Sequence, residues 1–290
     1  MTKKILPGAI PWLFLLLAAG LQWLTGNFPA DCFSFPANGV LLALWLVLVW
    51  QGFHRHRAHP LVRYFCSAQG TTHSLCMMGA LVVIMGFTSQ ETAPSEERFT
   101  LGIHHLPDTW MFAYASLHLL TVLTFGFLQG WAHRKDNRWR FALVHGGLCL
   151  TLYAMFWGSA DNRTLMAIAY KGHSSHEAVT AGKKTVYPDY EFQLSQMKVT
   201  TYPNGTPQSI EASLVIDDRP VSLRVGKPYP VKWDEDVYLH SYDRARGNNS
   251  TYAVLQLVRQ PWKQLMLLGM TGMLAGGLLL FVQGAERRRS

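Results

Sequence analysis

Charge is scarce in this chain. Asp, Glu, Lys and Arg make up 15% of its 290 residues, too few to solvate the surface of a soluble protein of this length. Cysteine is scarce too: the four cysteines form no C-x-x-C, and none falls between residues 159 and 261. That excludes a thiol–disulfide relay and a disulfide-held fold for this segment. The same segment has no nucleophile–base pairing, no Gly-rich phosphate loop and no paired-carboxylate pattern that names a hydrolase. The net charge of +8 is no nucleic-acid signal, because the basic residues cluster at the ends of apolar runs, where they orient a chain in a lipid bilayer.

What the chain has instead is apolar length. A helix needs about 20 apolar residues to cross a bilayer core of roughly 30 Å. Six runs come close, at residues 9–25, 39–53, 71–88, 109–128, 141–158 and 264–283. Their flanks set a direction. "MTKK", "HRHRAHPLVR", "WAHRKDNRWR" and "ERRRS" are basic, "SQETAPSEER" is net acidic, and "GNFPADCFSFPAN" has no Lys or Arg. With the basic flanks in the cytoplasm all six runs alternate, both termini are cytoplasmic, and residues 159–261 lie outside. The first run follows a short basic head, as a signal peptide does, but its length, its Trp and Leu content and its lack of a small-x-small cleavage site favour a retained span.

From Val186 the pattern changes to short alternating stretches separated by "PNG", "DDRP", "GKPYP" and "DRARGNN", with "MAIAYKG" (166–172) as a further candidate strand. Such alternation between turn residues predicts an antiparallel sheet, a sandwich or an open barrel. The expected fold class is therefore a polytopic α-helical membrane protein with an external, mostly antiparallel β domain inserted before the last transmembrane helix, and a basic tail after it. The carboxylates of "WDED" (233–236) read as a solvated turn.

Twelve histidines are present, and location separates them. His54, His56, His59 and His133 sit among arginines in basic loops, while His173, His176 and His240 of the β segment have no ligand-like spacing. His73, His118 and His145 fall within the apolar runs, and His104 with His105 in the loop before the fourth. A neutral imidazole in a low-dielectric setting suits haem iron as an axial ligand, and equally suits hydrogen bonding between helices. Beside His145, Gly146 and Gly147 remove side-chain bulk, which lets a flat macrocycle or another helix approach. Cys149, at i+4, is expected on the same face as His145, as a metal co-ligand or as plain packing.

Three stretches carry a family likeness. They are "FALVHGGLCLTLYAMFWGSADNRTLMAIAYKG", a His-led span ending in small residues and a strand; "YPDYEFQLSQMKVTTYPNGTPQSIEASLVIDDRPVSLRVGKPYPVKWDEDVYLHSYD"; and "YAVLQLVRQPWKQLMLLGMTGMLAGGLLLF", a closing strand, a P-W-K step and a Gly-rich last span. Together, over roughly residues 70–284, the chain resembles the ResB/CcsB family of cytochrome c biogenesis proteins. The resemblance implies a subunit of a haem export and ligation complex in the bacterial inner membrane. Its partner would be a CcsA-type membrane protein, whose tryptophan-rich motif presents haem b to apocytochrome c.

By position, the resemblance makes His145 the axial ligand of haem in transit, with His118 as the second candidate. His104 and His105 are weaker candidates on the delivery side. Arg138 and Arg140 are candidate partners for the propionates, since an arginine fork matches a carboxylate, although both also serve as topology anchors. The chain departs from the family in having a short external segment and more spans before it. It also lacks the tryptophan-rich motif, so it would not complete the ligation alone. Two other classes remain open: a cytochrome b-like electron carrier with permanent haem between paired histidines, and a structural subunit without cofactor.

Overall fold

A computed structural model describes residues 6–90, 99–134, 137–204 and 206–283; the basic termini "MTKK" and "ERRRS" and most of the acidic "SQETAPSEER" lie outside the described residues. The chain divides into two compact units, Met1–Ala160 with Trp262–Ser290, and Asp161–Pro261.

The first unit is helical. Its long helices are α1 (Leu6–Thr25), α2 (Ala37–Arg55), α4 (Ala68–Phe87), α5 (Trp110–His133) and α8 (Lys263–Gln283), with a short α3 (Pro60–Phe65) between α2 and α4. A sixth long helix runs from Arg138 to Trp157 as α6 (Arg138–Phe141), a π-helical turn (Ala142–Gly146) and α7 (Gly147–Trp157). All six are long and apolar enough to cross a membrane, which makes the protein a polytopic membrane protein.

The helix starts follow capping rules. Ser67 accepts a hydrogen bond from the Gly70 amide at 3.2 Å to open α4, Thr109 accepts one from Phe112 at 3.2 Å to open α5, and Pro60 occupies the first turn of α3. The central helix is α5, which packs against α1, α2, α3, α4 and α7. Side-chain polarity is inverted relative to a soluble bundle. Leu16, Leu24, Leu48, Leu274 and Phe281 face outward, while Gln22, Asn38, Ser74 and His118 are buried. Lipid as the outer solvent explains both facts.

α8 closes against α6–α7 through glycines. A Cβ on Gly147 would meet the Gly269 carbonyl oxygen at 2.6 Å, and one on Gly276 would meet Val144 Cγ2 at 2.6 Å. Small residues let the two backbones touch, which is how helices associate where no hydrophobic effect drives them together.

The second unit is a β-sandwich. Strands β1 (Arg163–Tyr170), β2 (Ala178–Thr180), β3 (Thr185–Val186), β7 (Tyr229–Lys232), β8 (Glu235–Tyr242) and β9 (Tyr252–Arg259) form a sheet in the order β3-β2-β1-β9-β8-β7. Strands β4 (Phe192–Thr201), β5 (Pro207–Ile216) and β6 (Arg219–Arg224) form the other. Every pairing within the two sheets is antiparallel. Alternate residues of both sheets, among them Ala169, Phe192, Leu214, Leu223, Leu255 and Leu257, meet in one core. The β5–β6 hairpin turns on Asp217 and Asp218, both at positive φ, the left-handed geometry that a two-residue hairpin loop requires.

The "WDED" carboxylates depart from the expected solvated turn: Asp234, Glu235 and Asp236 are 3%, 9% and 6% exposed. Each of the first two is paired. Asp234 accepts from Arg259 Nε at 2.8 Å, and Glu235 accepts from the Tyr190 hydroxyl at 2.9 Å. Register explains the burial, since Glu235 stands opposite Arg259 on the neighbouring central strand. A buried carboxylate is tolerated when its lone pairs are filled in this way.

Candidate functional site

Two settings in the helical unit hold histidines where chemistry is available. In the first, three helices bring ring systems together around Tyr64. Its hydroxyl lies 3.1 Å from His73 Nδ1 and 3.4 Å from His118 Nε2, so one phenol bridges imidazoles from α4 and α5. Phe65 and Tyr114 add tilted contacts to the His118 ring, at centroid distances of 5.5 and 6.0 Å.

Beside this cluster is a cavity of about 480 Å³, a size that suits a small-molecule ligand. Its wall is mostly apolar, with Pro11 and Phe14 from α1, Leu61 from α3 and Leu117 from α5, and His118, Tyr64, Tyr114 and Thr121 are the polar residues of its lining. His118 is buried, and its Nδ1 has no hydrogen-bond partner among the described residues. An unpaired nitrogen in such a place costs about 1–3 kcal/mol, so it marks a position where a ligand would be stabilising.

The second setting is His145, which sits in the π-helical turn Ala142–Gly146. An inserted residue of this kind is rare and recurs at functional sites. The ring is exposed, stacked on Phe141 with centroids 4.2 Å apart, and its Nδ1 lies 3.3 Å from the Phe141 carbonyl oxygen. That contact fixes the tautomer and leaves Nε2 as the free nitrogen. His54 and His133 make the same bond to the carbonyl four residues back, at 3.0 and 2.8 Å. The bond alone therefore does not single out His145; the π turn does.

The glycines beside His145 serve helices rather than a macrocycle. A Cβ on Gly147 would strike α8, and one on Gly146 would meet the Phe127 ring at 3.3 Å. Nor does Cys149 share the His145 face, since it is buried while the histidine is exposed. A π turn ending at Gly146 shifts the helical phase between the two, which the simple i+4 rule omits. No group of three or more His, Cys, Asp or Glu side chains among the described residues is placed to hold a metal ion by itself.

The remaining candidates are scattered. His104 is exposed and its Nδ1 lies 3.0 Å from the Ser89 carbonyl oxygen, while the adjacent His105 is buried in the 3-10 turn Ile103–Asp108. Arg138 bonds the Arg134 carbonyl at 3.3 Å and lays its guanidinium 4.8 Å over the Trp131 ring. Arg140 lies two residues further on, half-buried, in the same short helix. Sequence reasoning missed Tyr64, because "HRHRAHPLVR" reads as one basic loop. Pro60 after His59 is the start signal for the short helix that carries it.

No protein-family model and no curated protein matches this chain. Among solved structures it is similar to a cytochrome c haem lyase, CcmF, at 16% identity and a TM-score of 0.38. That alignment covers 93% of this chain and 44% of CcmF, so the chain spans less than half the length of its structural neighbour. At that score and identity the likeness carries no argument about activity, and what stands on this chain's own structure is a polytopic membrane protein with six membrane-length helices among the described residues and an antiparallel β domain.

Proposed function

We propose that this chain is a membrane subunit of a cytochrome c biogenesis complex. It holds haem b as cargo within the bilayer for a CcsA-type partner, whose tryptophan-rich motif presents the haem to apocytochrome c. The basic flanks favour a bacterial inner-membrane orientation with both termini cytoplasmic and the β domain outside. The sequence resemblance to the ResB/CcsB family supplies the pathway.

The observation that carries the reading is the setting of His145. Its Nδ1 is engaged by a backbone carbonyl, its ring is stacked on Phe141, and its Nε2 makes no hydrogen bond among the described residues. An exposed imidazole on an apolar helix is what a ligand shared with a neighbouring subunit requires. The partner would then cover the open side and bring the second axial ligand. Arg140 and Arg138, five and seven residues before His145, are the cations assigned to the two propionates.

The cavity at His118 supports a second reading, haem held inside this chain. Permanent bis-histidine ligation by His73 and His118 would have to displace the Tyr64 hydroxyl that bridges them. The test is a haem spectrum of the chain purified with its CcsA-type partner, for wild type, His145→Ala and His118→Ala. Loss of haem in His145→Ala, restored by added imidazole, is the expected result. Haem retained in His145→Ala but lost in His118→Ala moves the ligand to the cavity, and a wild-type complex without haem overturns the proposal.

A further inference from the structure

A second cavity, of about 310 Å³, lies where α2, α3 and α5 end in the basic loops. Phe53 and Val62 line its apolar floor, and Arg57, Arg63, Gln129 and His133 line its polar side. No carboxylate among the described residues lines it. The Arg57 guanidinium is held 4.2 Å above the Phe53 ring, so its charge sits over the floor rather than swinging free. Gln129 gives its backbone carbonyl to His133 Nδ1 at 2.8 Å, which leaves His133 Nε2 for a ligand. Cys66, also on the wall, feels the same field: burial pushes its thiol up while the Arg57 charge acts against that shift.

The floor continues inward. Phe53 and Val62 belong with Val49 and Phe125 to one apolar cluster, and α2 exposes Leu46 and Trp50, seven and three positions before Phe53 and so on its side of the helix. Cations facing an apolar ramp match a molecule with an anionic head and acyl tails. A soluble anion would use the arginines and leave the ramp idle. We propose that this cavity binds the phosphodiester headgroup of an anionic phospholipid, with Arg57 and Arg63 on the phosphate oxygens and the acyl chains along α2. Basic pockets between transmembrane helices bind such headgroups, and each arginine near an anionic surface is worth roughly fivefold in affinity.

The full chain, purified in a mild detergent, is titrated with phosphatidylglycerol or phosphatidylcholine and followed by native mass spectrometry. Retention of phosphatidylglycerol over phosphatidylcholine is expected. Arg57→Gln and Arg63→Gln should each weaken it by about fivefold. Arg55→Gln removes the same charge from the same loop without touching the cavity, and should leave retention unchanged. Thermal melts of each variant confirm that a loss is not misfolding, and Arg57→Gln carries the test where Arg63→Gln does not fold. Equal losses in Arg55→Gln and Arg57→Gln would reduce the effect to general surface charge and overturn the site. Displacement of the lipid by millimolar inorganic phosphate would assign the cavity to a free anion and overturn the lipid. Equal retention of the two lipids would overturn both.

Discussion

The two units of this protein solve opposite packing problems. In the β domain, apolar side chains from both sheets are inside, as at Phe192, Leu214 and Leu255, and the buried carboxylates are paired. In the helical unit, leucines cover the outside while glutamine, asparagine, serine and histidine are buried. Exposure therefore means different things in the two units. An exposed leucine in the helical unit is solvated by lipid, and an exposed histidine there is the anomaly.

The comparison is sharpest with one substitution made in both units. Leu255 in β9 is fully buried, and Leu274 in α8 is 70% exposed. Leu255→Ala should destabilise the β domain by about 2–5 kcal/mol, through lost transfer energy and the cavity left behind. Leu274→Ala should change the helical unit little, because lipid replaces what the side chain touched. Urea denaturation of the full chain in detergent, with proteolysis reporting the β domain, reads the first effect. A large cost at Leu274 would mean that another protein surface, not lipid, covers α8.

Glycine offers the reverse contrast within the helical unit. Gly147→Ala places a Cβ 2.6 Å from the Gly269 carbonyl, and the helices must separate to admit it. Overpacking of this kind costs about 1–3 kcal/mol, read as earlier unfolding in a denaturing-detergent titration. Gly79→Ala in α4 meets nothing within 4 Å and should be neutral or slightly stabilising. Equal behaviour of the two variants would show that the α7–α8 seam is not held by close backbone contact.

Most of the fold class was legible because it rests on long-range composition. Six apolar runs predict six helices, and short alternating stretches between turn residues predict antiparallel strands. Features decided by one residue were not legible. The π turn at His145 inserts a single position and leaves hydropathy unchanged. The "WDED" carboxylates read as solvated because nothing local announces that Glu235 will face Arg259 across a sheet. Tyr64 carries no spacing signal at all; its role appears only when α3 sets it between His73 and His118.

The buried acidic end of the β domain gives it a pH dependence of its own. Burial first, and then the Glu235 charge, push the Tyr190 phenol above its ordinary value. The stability this reports is complete below about pH 10, the value of an unfolded phenol, and is lost as pH rises beyond it. Lys232 is raised by its hydrogen bond to Asp189 and acts in the same alkaline direction. Asp189 is lowered by the same bond, so its share is lost only as pH falls below about 4. Tyr190→Phe should lower the neutral plateau by about 1 kcal/mol and flatten the alkaline fall, measured as urea midpoints between pH 7 and about 11. An unchanged alkaline slope would place the titration elsewhere.

The smallest effect tests whether a buried hydrogen bond is worth the same in both units. Gln22 in α1 is fully buried; it donates to Asn27 Oδ1 at 3.0 Å and accepts from the Trp110 amide at 3.2 Å, filling one of the open donors at the start of α5. In a water-solvated protein, stranding that amide would cost about 1–3 kcal/mol. In a bilayer the unfolded reference also finds polar partners, and measured interhelical bonds average only about 0.6 kcal/mol. Gln22→Leu should therefore shift the denaturing-detergent midpoint less than Tyr190→Phe shifts the urea midpoint, once each is expressed as free energy. A loss as large as that of Tyr190→Phe would mean that the α1–α5 contact unfolds into water rather than lipid, and the inversion of polarity would then stop short of this end of the bundle.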